Sequence, residues 1–229
     1  MNGLAIAADA FLPIAVLCSL SLVLLVLASW LGRWSLWVGG WSLAAAALVV
    51  AFFFRDPERP GERGSALYLS PADGRVLAVE QVEEAVYLRG PATRVAIFLS
   101  VFDVHVQRSP VDGVVEVVEH SPGRFAAAWS ERAALQNERT LIGIDTGEER
   151  VVVRQVAGLV ARRIVTYVRE GERVEQGQRI GLIRFGSRVD AYLPPDAIVD
   201  VLPGDRVWGG TTILGWRPGT ARELDEVLR

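Results

Sequence analysis

The chain contains no lysine, and all 24 of its basic residues are arginine. Chemistry that needs a lysine Schiff base, pyridoxal-phosphate catalysis included, is therefore excluded. Cysteine is almost as scarce. The single Cys18 lies in an apolar run, so neither a disulfide framework nor a cysteine metal site can form within the chain. The only histidines are His105 and His120, with no His-x-His pair, too few for a barrel-type metallopeptidase, and no metal is expected. A net charge of −3 gives a nucleic-acid partner no bulk electrostatic support, and none is expected.

Apolar residues, by contrast, are abundant at 51% of the chain, and much of the excess lies at the N-terminus. Phe11 to Leu31 is an uncharged span, and after Gly32-Arg33 a second runs from Trp34 to Phe54. Each has the length of a helix that crosses a bilayer hydrocarbon core. No basic residue precedes the first span and a second span follows it, which argues for a transmembrane hairpin rather than a signal peptide. Arg55, Arg59 and Arg63 follow the second span, whereas the turn carries only Arg33. The positive-inside tendency then predicts a membrane protein with its C-terminal part on the cytoplasmic face. Trp30, Trp34, Trp37 and Trp41 cluster around the turn as an interfacial belt would.

From Arg55 the texture changes, which divides the chain into an anchor, 1–54, and a second domain, 55–229. Asp56-Pro57-Glu58-Arg59-Pro60-Gly61 has the turn chemistry of a linker. Short β-branched runs then alternate with Gly, Pro and Asp turns: Gly74–Val79, Arg94–Leu99, Gly113–Val118, Thr140–Ile144, Val151–Val156, Arg179–Ile183 and Val207–Leu214. This spacing predicts a mainly β, α+β domain with an antiparallel sheet. The Ala-rich stretch Phe125 to Leu135 is its one helical candidate.

Four segments carry chemical interest. Pro71-Ala72-Asp73-Gly74 is a turn entering a strand, where Asp ordinarily bonds its own backbone. In Phe98 to Pro110, an extended chain would face Asp103, His105 and Gln107 one way and Val104, Val106 and Arg108 the other. His105 is the natural proton carrier near neutrality. The glycine spacing of Gly171 to Ile183 is like that of barrel-sandwich carrier modules, but without a lysine the segment serves as scaffold. Arg184-Phe185-Gly186-Ser187 places a hydroxyl directly after a glycine carbonyl, where Ser187 Oγ can attack the Gly186 carbonyl if a base takes its proton. A membrane-anchored barrel-sandwich adaptor is the non-enzymatic alternative, but it leaves the Asp-x-His strand and Phe-Gly-Ser-Arg unexplained.

Together these segments resemble the phosphatidylserine decarboxylase family, in its short form. The resemblance runs from Phe53 to Pro194, through Phe53–Pro57, Pro71–Gly74, Phe98–Pro110, His120–Phe125, Asn137–Arg139, Gln155–Ile164 and Phe185–Asp190. It implies self-cleavage between Gly186 and Ser187 into chains 1–186 and 187–229 that stay associated, with Ser187 becoming a covalent pyruvoyl cofactor. It also implies a phosphatidylserine substrate and a phosphatidylethanolamine product. Longer bacterial members carry a second histidine where this chain has Arg108. Asp73 matches the family aspartate, so either His105 covers both base roles or Asp73 acts more directly on Ser187. Arg108, Arg162 and Arg163 are candidates for the lipid phosphate, since guanidinium binds phosphate bidentately. The sequence is compatible with a homo-oligomer and with either diacyl or ether-linked lipid.

Overall fold

A computed structural model describes residues 6–123, 136–158, 163–184 and 187–219. The helix expected over Phe125 to Leu135 lies outside the described residues. The chain forms two compact units, Met1–Glu58 and Arg59–Arg229.

In the first unit, α1 (Phe11–Leu31) and α2 (Trp34–Phe53) pair as a hairpin. Pro13 is tolerated because the first-turn amides have no helical acceptor. Gly32, at φ 62°, ends α1 by donating its N–H to the Ala28 carbonyl, a left-handed cap that suits glycine. Small residues make the contact between the helices. Ser21 Oγ donates to the Gly40 carbonyl at 2.8 Å, and a Cβ on Gly40 would lie 2.6 Å from Leu25 Cδ2. Ala28 and Ala47 are buried, whereas Leu12, Trp30, Trp34 and Leu48 face outward and are largely exposed. Both helices are long and apolar enough to cross a membrane. Small residues inside and large apolar ones outside match the way helices pack in lipid.

The second unit is mainly β. Its strands are β1 (Leu67–Leu69), β2 (Gly74–Glu84), β3 (Gly90–Leu99), β4 (Val106–Arg108), β5 (Gly113–Ser121), β6 (Arg139–Asp145), β7 (Arg150–Val156), β8 (Ile164–Thr166), β9 (Arg173–Val174), β10 (Arg179–Ile183), β11 (Ser187–Leu193), β12 (Ile198–Val199), β13 (Arg206–Val207) and β14 (Ile213–Trp216). A curled eight-stranded antiparallel sheet has the order β13-β2-β3-β11-β7-β6-β5-β9. Two three-stranded sheets, β1-β14-β12 and β4-β10-β8, complete the unit.

Alternation builds the core. Val95, Ile97 and Leu99 of β3, Val189, Ala191 and Leu193 of β11, and Val151 and Val153 of β7 belong to one buried cluster, with Ile142 and Ile144 of β6. Burying each of these Val, Ile and Leu side chains contributes about 1.5–3 kcal/mol. On the opposite face of β11, Arg188, Asp190 and Tyr192 are also buried, and Arg188 Nε pairs with Asp190 Oδ1.

Three local expectations are corrected. Asp103 and His105 do not lie in a strand, because β4 begins only at Val106 and the Asp103 N–H turns back to the Ser100 carbonyl. Alternate facing therefore fails, and Asp103, Val104, His105, Val106, Gln107 and Arg108 are all buried. The run Val207–Leu214 divides between β13 and β14, with Gly210 at φ 69° in the intervening turn. Strand β2 extends to Glu84, whose buried carboxylate accepts the N–H groups of Val86, Tyr87 and Leu88 and so closes the β2–β3 turn.

Candidate active site

Strand register gathers the candidate residues at one end of the large sheet. Arg75 of β2 pairs with Phe98 of β3, which pairs with Arg188 of β11. Asp73, just before β2, and Ser187, the first residue of β11, are thus at the same end, on either side of β3. Gly74 permits this close approach, since a Cβ there would lie 2.2 Å from the Phe98 carbonyl oxygen.

The flanks of the Gly186–Ser187 segment are held against one loop. Ser187 pairs with Leu99, where β3 ends, and the Ile183 N–H donates to the His105 carbonyl at 3.3 Å, just before β4. The β3–β4 loop, Ser100 to His105, and the connection from Ile183 to Ser187 therefore share their flanks. Gly186 lies outside the described residues.

Each side chain has a defined setting. Ser187 is buried, and its hydroxyl has no hydrogen-bond partner among the described residues. His105 is buried, with Nδ1 2.9 Å from the Asp103 carbonyl oxygen. A carbonyl only accepts, so Nδ1 carries the proton and Nε2 the basic lone pair. Gln107 Nε2 donates to the His105 carbonyl at 2.7 Å, and Gln155 Nε2 donates to Gln107 Oε1 at 2.8 Å. Two buried amides thus fix the backbone that carries the imidazole.

Asp73 is buried and held on both oxygens. Arg59 Nη2 donates to Oδ2 at 2.6 Å, and the Gly209 N–H donates to Oδ1 at 2.7 Å. Burial pushes the Asp73 carboxyl above the usual carboxylate range, with Arg59 and the Gly209 amide pulling it back and Asp103 adding to the rise. Asp103 accepts from Arg206 and from the Ser100 N–H.

The three candidate arginines differ. Arg108 is buried, and its Nη1 donates to the Gly177 carbonyl at 3.0 Å, which makes it part of the wall. Arg163 is exposed, and its carbonyl accepts the Arg184 N–H, three residues before Ser187. Arg162 lies outside the described residues. Among the described residues, no group of three His, Cys, Asp or Glu side chains could hold a metal ion. A cavity of about 410 Å³, lined in part by Leu88, Asp145, Arg150 and Pro194, lies at the opposite end of the sheet.

Sequence reading missed Arg59, which it assigned to a linker, as well as the Gly209 amide and the Asp103–Arg206 pair. The Asp56–Gly61 composition signals a turn and nothing more, and none of these contacts leaves a local signature. The glutamine pair is likewise invisible, because its members are far apart in sequence.

A buried serine, a buried imidazole with a defined tautomer and an arginine-held aspartate lie at one sheet end of a mainly β unit and form the candidate site. Comparison with known proteins specifies the family. Residues 46–215 match the family model of phosphatidylserine decarboxylase. A phosphatidylserine decarboxylase proenzyme of Symbiobacterium thermophilum is 54% identical over 183 residues, covering 80% of this chain and 85% of that protein. Proenzymes of the same name from Carboxydothermus hydrogenoformans and Salinibacter ruber are 47% and 44% identical. The first covers 73% of this chain and 79% of the relative, and the second 83% and 86%. The chain belongs to the phosphatidylserine decarboxylase family.

Proposed function

We propose that the chain decarboxylates phosphatidylserine to phosphatidylethanolamine after cutting itself between Gly186 and Ser187. The observation that carries this reading is the buried Ser187 hydroxyl at the start of β11, without a partner among the described residues, on a segment flanked by the His105 loop. A buried hydroxyl without a partner costs free energy in a finished structure. It suits a group about to react and be replaced by a carbonyl.

In the cleavage, His105 Nε2 takes the Ser187 hydroxyl proton while Oγ bonds to the Gly186 carbonyl carbon. The Gly186–Ser187 C–N bond breaks, and His105 returns the proton to the departing nitrogen. Loss of the residue-187 α-proton then expels the Gly186 carboxylate, and one water enters as one ammonia leaves. Across β3, Asp73 and Ser187 are separated by two strand spacings, about 10 Å between backbones. Both Asp73 oxygens are already held, by Arg59 and the Gly209 amide, which favours His105 as the proton carrier and Asp73 as its electrostatic support.

A pyruvoyl group at position 187 supplies the electron sink for decarboxylation. The chain's own residues bind, shield and protonate. The buried surroundings exclude water, which favours loss of a charged carboxylate as neutral carbon dioxide. His105 returns a proton to the substrate carbon. Arg163, exposed beside the scissile segment, meets the lipid phosphate, whereas buried Arg108 holds the wall. Residues 187–229 would remain associated with 1–186, because β11 is hydrogen-bonded to β3 on one edge and to β7 on the other. The arginines after α2 support a cytoplasmic catalytic unit.

The test measures carbon dioxide released from phosphatidylserine in vesicles by the purified chain and by Ser187→Ala. The wild type should turn over and the variant should be inactive. Turnover by Ser187→Ala would defeat the reading.

A further inference from the structure

Among the described residues, the most exposed large apolar side chains of the second unit gather at the end that carries the candidate site. Val101 and Phe102, 46% and 73% exposed, form the tip of the loop that holds Asp103 and His105. Leu202, 70% exposed, begins the turn that leads into β13. Trp208, 46% exposed, follows β13 and precedes Gly209, whose amide holds Asp73.

Four interactions tie these three tips together. Arg206 of β13 pairs with Asp103 of the first loop, and β13 pairs with β2 through Arg206 and Arg75. Arg75 Nη1 donates to the Gly204 carbonyl at 2.7 Å, and the Val76 N–H to the Asp205 carbonyl at 2.9 Å. Phe102, Leu202 and Trp208 therefore lie at one end of the sheet, together with the exposed Arg75 and Arg206. The opposite end of the sheet differs: its β2–β3 turn exposes Ala85, Val86 and Arg89, and its cavity is lined by Asp145, Glu148, Glu149 and Arg150.

Aromatic and aliphatic tips interleaved with arginine are the composition of a surface that settles into a bilayer's headgroup region. The apolar tips leave water, and the guanidinium groups meet lipid phosphate. Only residues 54–58 separate α2 from Arg59, so the unit is tethered to whatever membrane the two apolar helices occupy. A tethered unit needs little intrinsic affinity for its orientation to be set by such a surface.

We propose that Val101, Phe102, Leu202 and Trp208, with Arg75 and Arg206, form a second membrane contact, in which the bilayer surface itself seats against this end of the sheet. The contact turns the candidate-site end toward the headgroups, so that phosphatidylserine reaches it without leaving the bilayer. This rests on the lipid-decarboxylase reading for its purpose, though the contact can be measured without any turnover.

The test uses the full-length Ser187→Ala, Cys18→Ala protein, in which neither cleavage nor decarboxylation is needed. A single cysteine at Phe102→Cys, Leu202→Cys or Ala85→Cys carries an environment-sensitive fluorophore. The protein is reconstituted in phosphatidylcholine–phosphatidylglycerol vesicles with or without brominated phosphatidylcholine. Seated about 5–10 Å into the headgroup boundary, probes at 102 and 202 should lose about half their fluorescence to the brominated lipid. The probe at 85 should lose almost none. Equal, weak quenching at all three positions would overturn the proposal. So would shielding of 102 and 202 from aqueous iodide without bromolipid quenching, since a protein partner would then cover that end. If either variant fails to fold, the other decides.

Discussion

The two units of this chain are built inside out with respect to each other. In the hairpin, Ser21, Ala28, Gly40 and Ala47 are buried and the large apolar side chains face outward. In the β unit, Ile97, Leu99, Ile142 and Leu193 are buried, and charged side chains such as Glu62, Glu83, Arg173 and Asp196 are exposed. The same physical rule operates in two solvents. In water, burying large apolar surface drives packing. In lipid that drive vanishes, and helices pair where small residues let the backbones approach.

That contrast predicts opposite responses to side-chain volume. In the β unit, shrinking a core residue should do the most damage. Ile97→Ala should lower stability by about 2–5 kcal/mol, read from urea unfolding of the β signal in circular dichroism. In the hairpin, enlargement should hurt instead. Gly40→Leu drives a Cβ into Leu25 and should cost about 1–3 kcal/mol, seen as earlier loss of helical signal on heating in detergent with the β transition unmoved. Leu48→Ala, on the outward face of α2, should leave the helical transition within about 0.5 kcal/mol. If Gly40→Leu and Leu48→Ala behave alike, the hairpin has no small-residue interface.

The site end of the β unit yields a subtler prediction about charge. Asp73 titrates above the ordinary carboxylate range, chiefly because it is buried, and Arg59 opposes the rise. Its folded pKa exceeds its unfolded one, so the folded chain holds the extra proton in the window above the ordinary carboxylate value. Stability attributable to Asp73 therefore falls as pH rises through that window. Removing Arg59 raises the carboxyl further. In Arg59→Gln the rising limb of the cleavage-rate profile should shift upward by about one pH unit or more, whereas Arg59→Lys should largely preserve it. Gel-resolved cleavage across a pH series reads this directly. A uniform loss of rate with an unmoved limb would make Arg59 a mere packing residue.

How much of this was legible beforehand depended on the range of each interaction. The two spans and the cores of the strands could be read, because uninterrupted or alternating apolarity is a local property of the chain. Strand β2 ran past its expected end at Val79 because the buried Glu84 carboxylate, holding three amides, closes a turn that lies well beyond the apolar run. The stretch after Val207 failed as a strand because Gly209 and Gly210 turn the chain so that an amide can reach Asp73, 136 positions away. Ser187, His105 and Asp73 could be singled out by motif, yet what holds them could not. Arg59 looked like linker, and Gln155 like one more polar residue in a strand. Long-range pairing has no local signature in a single sequence.

The central claim is that this chain activates itself at Ser187, and intact-mass spectrometry of the purified full-length protein tests it most directly. The account predicts two fragments that meet between residues 186 and 187, the smaller without an N-terminal amine. Their masses should sum to that of the precursor plus one water minus one ammonia. A single mass near 25.0 kDa, or a small fragment beginning with an ordinary serine amine, would contradict it.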